Sequence, residues 1–321
     1  MGSSLTIVLD NHEKLAELCG VNDENLKTIE KHVGARVYTR GNELHLDSDN
    51  EEQQVLFRDL VDRIQKLQKE NRSIEPSLIN AVVDSIKNDD ENDRELFDRK
   101  SIILPGGTRV YPRSARQASY IDQMENSEIT FGVGPAGTGK TYLAVAAALR
   151  EVLSREKKRL IITRPVVEAG ESLGFLPGDL AQKLNPYLKP IYDAMDRFLP
   201  YETISRMEES RMIEIAPLAY MRGRSLNDSF IILDEAQNTT RAQMKMFLTR
   251  IGEGSRAVIT GDITQIDLPS GTKSGLIHAV KILKNIEGLS FTSFETRDVV
   301  RKRIVRDIIR AYDKDGGKKS I

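Results

Sequence analysis

The residues from 134 to 141 have the types and spacing of a phosphate-binding loop. An apolar run, 129–133, precedes them and an alanine-rich run, 142–149, follows, so the order is strand, loop, helix. Glycines let successive N–H groups curl around phosphate oxygens, and the start of a helix adds its positive dipole end. The loop residues are Gly134, Pro135, Ala136, Gly137, Thr138, Gly139, Lys140 and Thr141. Lys140 would reach the β- and γ-phosphates and Thr141 would hold Mg²⁺, so the pattern predicts binding of a nucleoside triphosphate with Mg²⁺.

A second apolar stretch, 229–233, ends in the carboxylates Asp234 and Glu235. A continuous apolar run is typical of a central parallel strand with helices on both faces, and ligands bind at the carboxyl ends of such strands. Asp234 is a candidate Mg²⁺ ligand, because this hard cation prefers oxygen. Glu235 is a candidate to orient and deprotonate a water molecule. Hydrolysis is therefore favoured over binding alone, and over the alternative of a solvated strand end.

Further polar candidates follow from the same reasoning. The motif Thr260-Gly-Asp-Ile-Thr-Gln265 comes after an apolar strand, so its polar end falls at the same edge of the sheet. Gln265 would sense the γ-phosphate there and Asp262 would order the site. Gln117, upstream of the first strand, offers a donor and an acceptor that could read adenine. A plain surface glutamine is the equal alternative at that position.

Composition bounds the class of protein. A chain of 321 residues has room for two domains. The net charge of −1 means that any surface for nucleic acid must be local. Charged residues make up 30% of the chain, and no apolar run reaches the ~18 residues that a membrane span needs. The first residues lack a signal-peptide pattern. A single cysteine, Cys19, fits a reducing compartment, so we expect a cytoplasmic protein without a membrane segment.

The first part of the chain, residues 1–72, predicts a small α+β domain. Its elements are a strand at 5–9, helices at 11–18 and 23–33, a hairpin at 35–47 and a helix at 51–69. The order β-α-α-β-β-α resembles a KH-type RNA-binding module. A KH loop clamps the nucleotide backbone with Gly-x-x-Gly, whereas residues 18–23 contain one glycine and an added acid. Contact with RNA through this domain therefore stays open.

Residues 73–98 read as a helical and charged linker, and residues 99–321 as the larger domain. In the latter, a short hairpin turns at 105–107, and strands then alternate with helical patterns. The strands are expected at 129–133, 159–164, 211–216, 230–235, 256–261 and 289–294. Such alternation predicts an α/β fold, a doubly wound and mostly parallel sheet of the P-loop NTPase type.

Long motifs of the larger domain resemble the PhoH-like ATPase family. Among them are Asp234-Glu-Ala-Gln-Asn-Thr-Thr240 and the stretches 162–178, 216–226 and 258–269, within a similarity that runs from about residue 99 to 312. The KH-like region is consistent with the longer members. The resemblance implies a cytoplasmic ATPase whose single motor domain is similar to the RecA-like first half of superfamily 1 helicases. It also implies a role in RNA metabolism, with RNA or a ribosomal precursor and an endoribonuclease of ribosomal RNA maturation as partners.

A single motor domain lacks the second lobe that closes over the nucleotide. An arginine from a neighbouring subunit would fill the gap that this missing lobe leaves beside the nucleotide. We therefore expect a cyclic homo-oligomer, and its expected size is a hexamer. The candidates are Arg222, Arg224, Arg297 and Arg301. A loop at 165–178, with Arg164 at its base, could track a nucleic-acid strand.

Two other classes compete with an RNA-directed motor. The first is an ATP-gated adaptor that assembles a ribonuclease or ribosomal partner without moving along RNA. The charge of −1 and the single glycine in the KH-type loop favour it. The second, a small-molecule kinase, is disfavoured because no acceptor-binding constellation is visible.

Overall fold

The computed structural model describes residues 5–69, 74–87, 100–166, 180–269 and 271–299. The chain divides into two compact units. The first comprises residues 1–101 with 111–118, and the second comprises 102–110 with 119–321. No helix within the described ranges is long and apolar enough to cross a bilayer.

The first unit contains a three-stranded antiparallel sheet in the order β1-β3-β2. Its elements are β1 (Leu5–Val8), α1 (His12–Cys19), α2 (Glu24–Val33), β2 (Arg36–Arg40), β3 (Glu43–Asp47) and α3 (Glu51–Lys69). The β2–β3 hairpin pairs Arg40 with Glu43 around Gly41, whose φ of 64° suits the tight turn. The order of elements is the one that the sequence predicts.

The connection between α1 and α2 contains a single glycine, as the sequence indicates. Gly20 has a φ of 73°, and a Cβ there would lie 2.7 Å from the Asn25 amide. Asn22 and Asp23 both have left-handed backbone angles, with φ of 53° and 58°. The Lys27 ammonium donates to the Asn22 carbonyl at 2.9 Å. The connection thus has Asn22 and Asp23 where a KH module has its Gly-x-x-Gly clamp, and the Lys27 ammonium is hydrogen-bonded to its backbone.

A further helix, α4 (Pro76–Lys87), belongs to the first unit rather than to a linker. Its side chains Ile79 and Val83 are buried in the same core as Phe57 and Leu60 of α3. Residues 73–98 were expected to form a linker, because an apolar helix face does not reveal which core covers it. The charged run at 88–94 lies outside the described residues.

The second unit is built on a six-stranded parallel sheet in the order β11-β6-β10-β9-β7-β8. A small antiparallel hairpin, β4 (Ile102–Ile103) with β5 (Arg109–Val110), precedes it. Helix α5 (Ala115–Asn126) begins in the first unit and continues in the second. The remaining elements are β6 (Ile129–Val133), α6 (Lys140–Leu153), β7 (Arg159–Arg164), α7 (Leu180–Met195), α8 (Tyr201–Glu209), β8 (Ile213–Pro217), β9 (Ser229–Leu233), α9 (Arg241–Leu248), β10 (Arg256–Gly261), α10 (Gly275–Ile282) and β11 (Leu289–Ser293). The α/β prediction is confirmed.

Both faces of this sheet are covered, which explains the continuous apolar strands of the sequence. Phe230 and Ile232 of β9 point into a core that includes Ala144 of α6. The alternate residues, among them Ile231, point into a second core with Met244 of α9. All strands run in the same direction, so their carboxyl ends meet at one edge of the sheet.

The strand that carries the two acids ends earlier than predicted. We expected it to span 230–235, but β9 ends at Leu233. Glu235 adopts a left-handed backbone conformation, with φ of 52°, which is incompatible with continued strand pairing. Asp234 and Glu235 therefore lie just beyond the sheet, on the turn that faces the P-loop helix.

Candidate nucleotide-binding site

The loop between β6 and α6 has the conformation that its glycines allow. Gly139 precedes the helix with φ of 82°, and α6 begins at Lys140. Gly134 has φ of 150°, and a Cβ at this position would lie 2.5 Å from the carbonyl oxygen of Phe294. Its N–H donates to the Gly261 carbonyl at 3.0 Å. Position 134 therefore requires glycine for two reasons, its backbone angle and the approach of a neighbouring strand end.

The ammonium group of Lys140 is enclosed by this loop. Its Nζ donates to the carbonyl oxygens of Gly134 and Pro135, both at 2.7 Å, and to Thr138 Oγ1 at 3.2 Å. The residue is only 7% exposed. Burial lowers the pKa of Lys140, and the nearby carboxylates of Asp262, Asp234 and Glu235 oppose that effect. A buried cation in a glycine-lined loop is suited to phosphate oxygens.

The predicted metal ligands lie in direct contact. Asp234 Oδ1 accepts hydrogen bonds from Thr141 Oγ1 at 2.8 Å and from Thr260 Oγ1 at 2.6 Å. A hydroxyl and a carboxylate are the hard oxygen ligands that Mg²⁺ prefers, so this donor set fits the ion. Among the described residues no group of three or more His, Cys, Asp or Glu could hold a metal. Phosphate oxygens and water would thus complete the shell, as is usual for Mg²⁺.

The carboxylate of Glu235 is held at both oxygens. Arg164 Nη2 lies 3.3 Å from Oε1, and Gln237 Nε2 donates to Oε2 at 2.5 Å. The Glu235 side chain is 34% exposed and lines the same cavity as Lys140. Sequence reasoning placed Arg164 at the base of a strand-tracking loop. In the structure the guanidinium group of Arg164 contacts the carboxylate of Glu235.

The buried amide of Gln237 links three parts of the site. Its Oε1 accepts from the Asp262 N–H at 2.9 Å, and its Nε2 donates to the Gln265 carbonyl at 3.1 Å as well as to Glu235. Asp262 Oδ2 in turn accepts from the Ala136 N–H at 2.9 Å. Hydrogen bonds therefore run from the P-loop to Glu235. Gln237 was not predicted to belong to the site, although its place two residues after Glu235 was a usable signal.

These groups surround one cavity of 260 Å³. The P-loop residues 136, 137 and 139–141 line one side of it. Asp234, Glu235, Asp262 and Gln265 line the other side. Gly134 and Pro135 line a neighbouring cavity of 480 Å³ together with Phe294 and Thr296. The structure thus brings the predicted lysine, metal ligands, base and γ-phosphate sensor together.

Gln117, the candidate for adenine recognition, is hydrogen-bonded to residues of the first unit. It is buried, and its Oε1 accepts a hydrogen bond from the Arg113 N–H at 2.6 Å. Its own N–H donates to Ser114 Oγ at 3.2 Å. These contacts shape the start of α5, and recognition of adenine by Gln117 stays a prediction.

The candidate finger arginines have different surroundings. Arg224 forms a two-pronged pair with Glu214, at 2.5 and 2.8 Å, and this pairing lowers the pKa of Glu214. Arg222 is exposed. The backbone of Arg297 lies in a short turn at Thr296–Asp298. Arg301 and the predicted strand-tracking loop from residue 167 onward lie outside the described residues.

The chain is similar to proteins of a known family. The pattern that defines the family described as PhoH-like protein matches residues 109–313. The chain belongs to this PhoH-like family. A PhoH-like protein of Bacillus subtilis is 45% identical over 306 residues, covering 95% of this chain and 96% of the relative. One of Mycobacterium tuberculosis is 44% identical, covering 92% and 84%. Protein PhoH of Escherichia coli is 42% identical, covering 63% and 58%.

Two solved helicases superpose weakly on the PhoH-like chain. Pif1 helicase from Candida albicans is 14% identical with a TM-score of 0.32, covering 61% of this chain and 42% of the other. UvsW helicase from bacteriophage T4 is 12% identical with a TM-score of 0.33, covering 74% and 78%.

Proposed function

We propose that this PhoH-like protein is a Mg²⁺-dependent ATPase. The observation that supports it most is the convergence of Lys140, Thr141, Asp234 and Glu235 on one cavity of 260 Å³. Each residue type at its place matches a task in phosphoryl transfer to water. The cavity is at the carboxyl edge of a parallel sheet, which is where ligands bind in such folds.

In this proposal each residue has a separate role in hydrolysis. Lys140 would leave its loop carbonyl partners for the oxygens of the β- and γ-phosphates. Thr141 and Asp234 would hold Mg²⁺, which neutralises charge on the phosphates when it is bound. Glu235 would orient a water molecule and take its proton, and Gln265 would respond to the γ-phosphate.

The nucleotide site is tested by Lys140→Ala. Loss of the buried cation should abolish ATP binding or turnover while the fold survives, as judged by circular dichroism and thermal unfolding. Lys281→Ala, an exposed lysine on α10, is the matched control and should behave as wild type. Normal ATPase activity in Lys140→Ala would refute the proposal.

We further propose that this ATPase acts in RNA metabolism in the cytoplasm. The β-α-α-β-β-α order of the first unit supports RNA as the partner, since KH-type modules bind single-stranded RNA. The measurement is the ATPase rate with and without single-stranded RNA. Strong stimulation is expected, and no change in rate would contradict an RNA-directed motor.

The second candidate is an ATP-gated adaptor for an endoribonuclease or a ribosomal precursor. It is favoured by the connection between α1 and α2, where Asp23 adds a negative charge and only Gly20 is a glycine. In that case the ATPase rate should rise with the protein partner and stay unchanged with RNA alone.

A further inference from the structure

We propose that Tyr120 is a positioning residue for Asp234, the candidate Mg²⁺ ligand. The buried hydroxyls of Tyr120 and Thr260 share one bound water molecule, and Thr260 holds the carboxylate of Asp234 directly. We call these three side chains the buried row. The inference rests on the proposed ATPase function, because Asp234 would hold the metal ion of that reaction. It adds a residue that acts on Asp234 through Thr260 and contacts neither nucleotide nor metal.

Strand register places the backbone positions beneath the buried row side by side. Thr260 of β10 lies opposite Gly132 of β6. On the other side of β10, the pairing with β9 ends one residue before Thr260 and Asp234, which therefore follow it as neighbours. Thr260 Oγ1 donates to Asp234 Oδ1 at 2.6 Å. The positions thus run across three adjacent strands, from Gly132 to the candidate metal ligand.

The ring of Tyr120 occupies the space that a side chain at position 132 would need. A Cβ on Gly132 would lie 2.8 Å from Cε2, from Cζ and from the hydroxyl oxygen of Tyr120. Phe294 packs against the same ring in an edge-on contact, with the ring centroids 5.3 Å apart. The hydroxyl of Tyr120 is therefore held directly over the strand that leads into the P-loop.

Tyr120, Thr260 and Asp234 lie on one face of the sheet. Tyr120 shares a core with Val258 and Ile232. These two residues come two positions before Thr260 and Asp234 on the same strands, and residues two apart in a strand point to the same face. Burial raises the pKa of Tyr120, and the negative charge of Asp234 raises it further, which agrees with this proximity.

The hydroxyl of Tyr120 is fully buried and has no hydrogen-bond partner among the described residues. Buried polar groups of this kind are commonly satisfied by an ordered water molecule. Neighbouring strands are ~4.8 Å apart, which is too far for a direct hydrogen bond from a group above Gly132 to Thr260. One water molecule bridges a span of about 5 Å. Thr260 donates its proton to Asp234, so its oxygen can accept from that water.

The bridge has a consequence for the metal ligand. Asp234 Oδ1 accepts from Thr260 and also from Thr141 Oγ1, at 2.8 Å. A water molecule held by Tyr120 keeps the Thr260 hydroxyl directed at Oδ1, and this restricts rotation of the carboxylate. Partners that contact a metal ligand rather than the metal fix the orientation of that ligand and raise its affinity for the ion. Loss of the Tyr120 hydroxyl should therefore weaken the binding of Mg²⁺.

The first test measures thermal unfolding of the protein without Mg²⁺ or nucleotide. Tyr120→Phe removes only the hydroxyl, and loss of the bridge should lower the melting temperature by roughly 2–4 °C. A hydroxyl that is buried without a partner gives the opposite sign, because its removal relieves a cost. A raised or unchanged melting temperature would thus overturn the inference. Tyr220→Phe, at a tyrosine that is 51% exposed, is the matched control and should behave as wild type.

The second test asks whether Tyr120 acts through Thr260. Melting temperatures are compared for Tyr120→Phe, Thr260→Val and the double variant. Two hydroxyls that share a water molecule should give shifts that are not additive. Thr260→Ser keeps the hydroxyl, so adding Tyr120→Phe to it should have the same effect as in wild type. Additive shifts of Tyr120→Phe and Thr260→Val would overturn the bridge.

The third test titrates Mg²⁺ while binding of a non-hydrolysable ATP analogue is measured. Tyr120→Phe should raise the Mg²⁺ concentration for half-maximal binding roughly three- to tenfold, less than is typical for a direct partner of a ligand. Its affinity for the analogue at saturating Mg²⁺ should equal that of wild type. A loss of affinity that is equal at every Mg²⁺ concentration would indicate a general structural effect and would overturn the positioning role.

The outcomes separate this inference from the function on which it rests. Binding of the analogue by Tyr120→Phe with the Mg²⁺ dependence of wild type would overturn the positioning role and leave the ATPase proposal intact. Failure of the wild-type protein to bind the analogue at any Mg²⁺ concentration would overturn the ATPase proposal itself, and the metal role of Asp234 with it.

Discussion

The backbone N–H of Ala136 donates a 2.9 Å hydrogen bond to Oδ2 of Asp262, which joins the P-loop to the end of β10. The other carboxylate oxygen accepts from the N–H and hydroxyl of Thr264, at 2.9 and 2.6 Å. The acid is only 5% exposed. Asp262 therefore fixes the phosphate loop against the end of β10.

Replacing Asp262 by Asn should weaken ATP binding. An amide can offer only one acceptor oxygen, so either Ala136 or Thr264 would face an N–H group. A hydrogen bond to a charged group contributes ~1.5–3 kcal/mol, which predicts a loss of affinity of about ten- to hundredfold. Nucleotide titration measures it, with Asp193→Asn on the exposed side of α7 as control. Unchanged affinity would mean that the loop holds its shape without Asp262.

The two acids after β9 should give separable defects. Glu235→Gln keeps the shape but loses the base, so ATP should still bind while kcat falls about a hundredfold or more. Asp234→Ala should appear as a Mg²⁺ defect that higher Mg²⁺ partly relieves. Glu253→Gln, an exposed acid, serves as control. Normal turnover by Glu235→Gln would point to another residue orienting the water, with Gln265 as the next choice.

An arginine supplied in trans can be detected by mixing variants. In a head-to-tail ring, Lys140→Ala mixed with Arg301→Ala should regain partial activity, since some interfaces pair an intact loop with an intact arginine. The same mixture is made for Arg222, Arg297 and Arg224, although the pairing of Arg224 with Glu214 makes it the least available of the described candidates. Specific activity should rise with protein concentration. A protein that is monomeric by light scattering and yet fully active would exclude the ring.

The Glu214–Arg224 pair should make part of the stability depend on pH. Its hydrogen bond to Arg224 holds the pKa of Glu214 below the ordinary value of 4.5. The folded state thus binds a proton less readily than the unfolded chain, so the stabilisation is fully present above pH 4.5 and is lost as pH falls through the folded value. The difference in melting temperature between wild type and Glu214→Gln should shrink over that range. A difference that stays constant would argue against the ion pair.

The parts of the site that the sequence predicts are local in the chain. The P-loop is contiguous, and Asp234 with Glu235 directly follows an apolar strand, so pattern and sheet rules sufficed to place them. Arg164 and Gln237 were harder, because their roles depend on which strands become neighbours. A sequence shows that β7 and β9 exist, but their adjacency follows only from the completed sheet. The same limit applies to α4, whose apolar face fits any core.

The position of β6 within the sheet has a consequence for how the protein is made. The strand that leads into the P-loop pairs with β10 on one side and β11 on the other, and these end at Gly261 and Ser293. During synthesis the chain would therefore carry the phosphate loop for more than a hundred residues with both edges of its strand unpaired. Such edges are prone to wrong pairing. Nascent chains should thus be unable to gain full stability from ATP until both neighbouring strands have emerged.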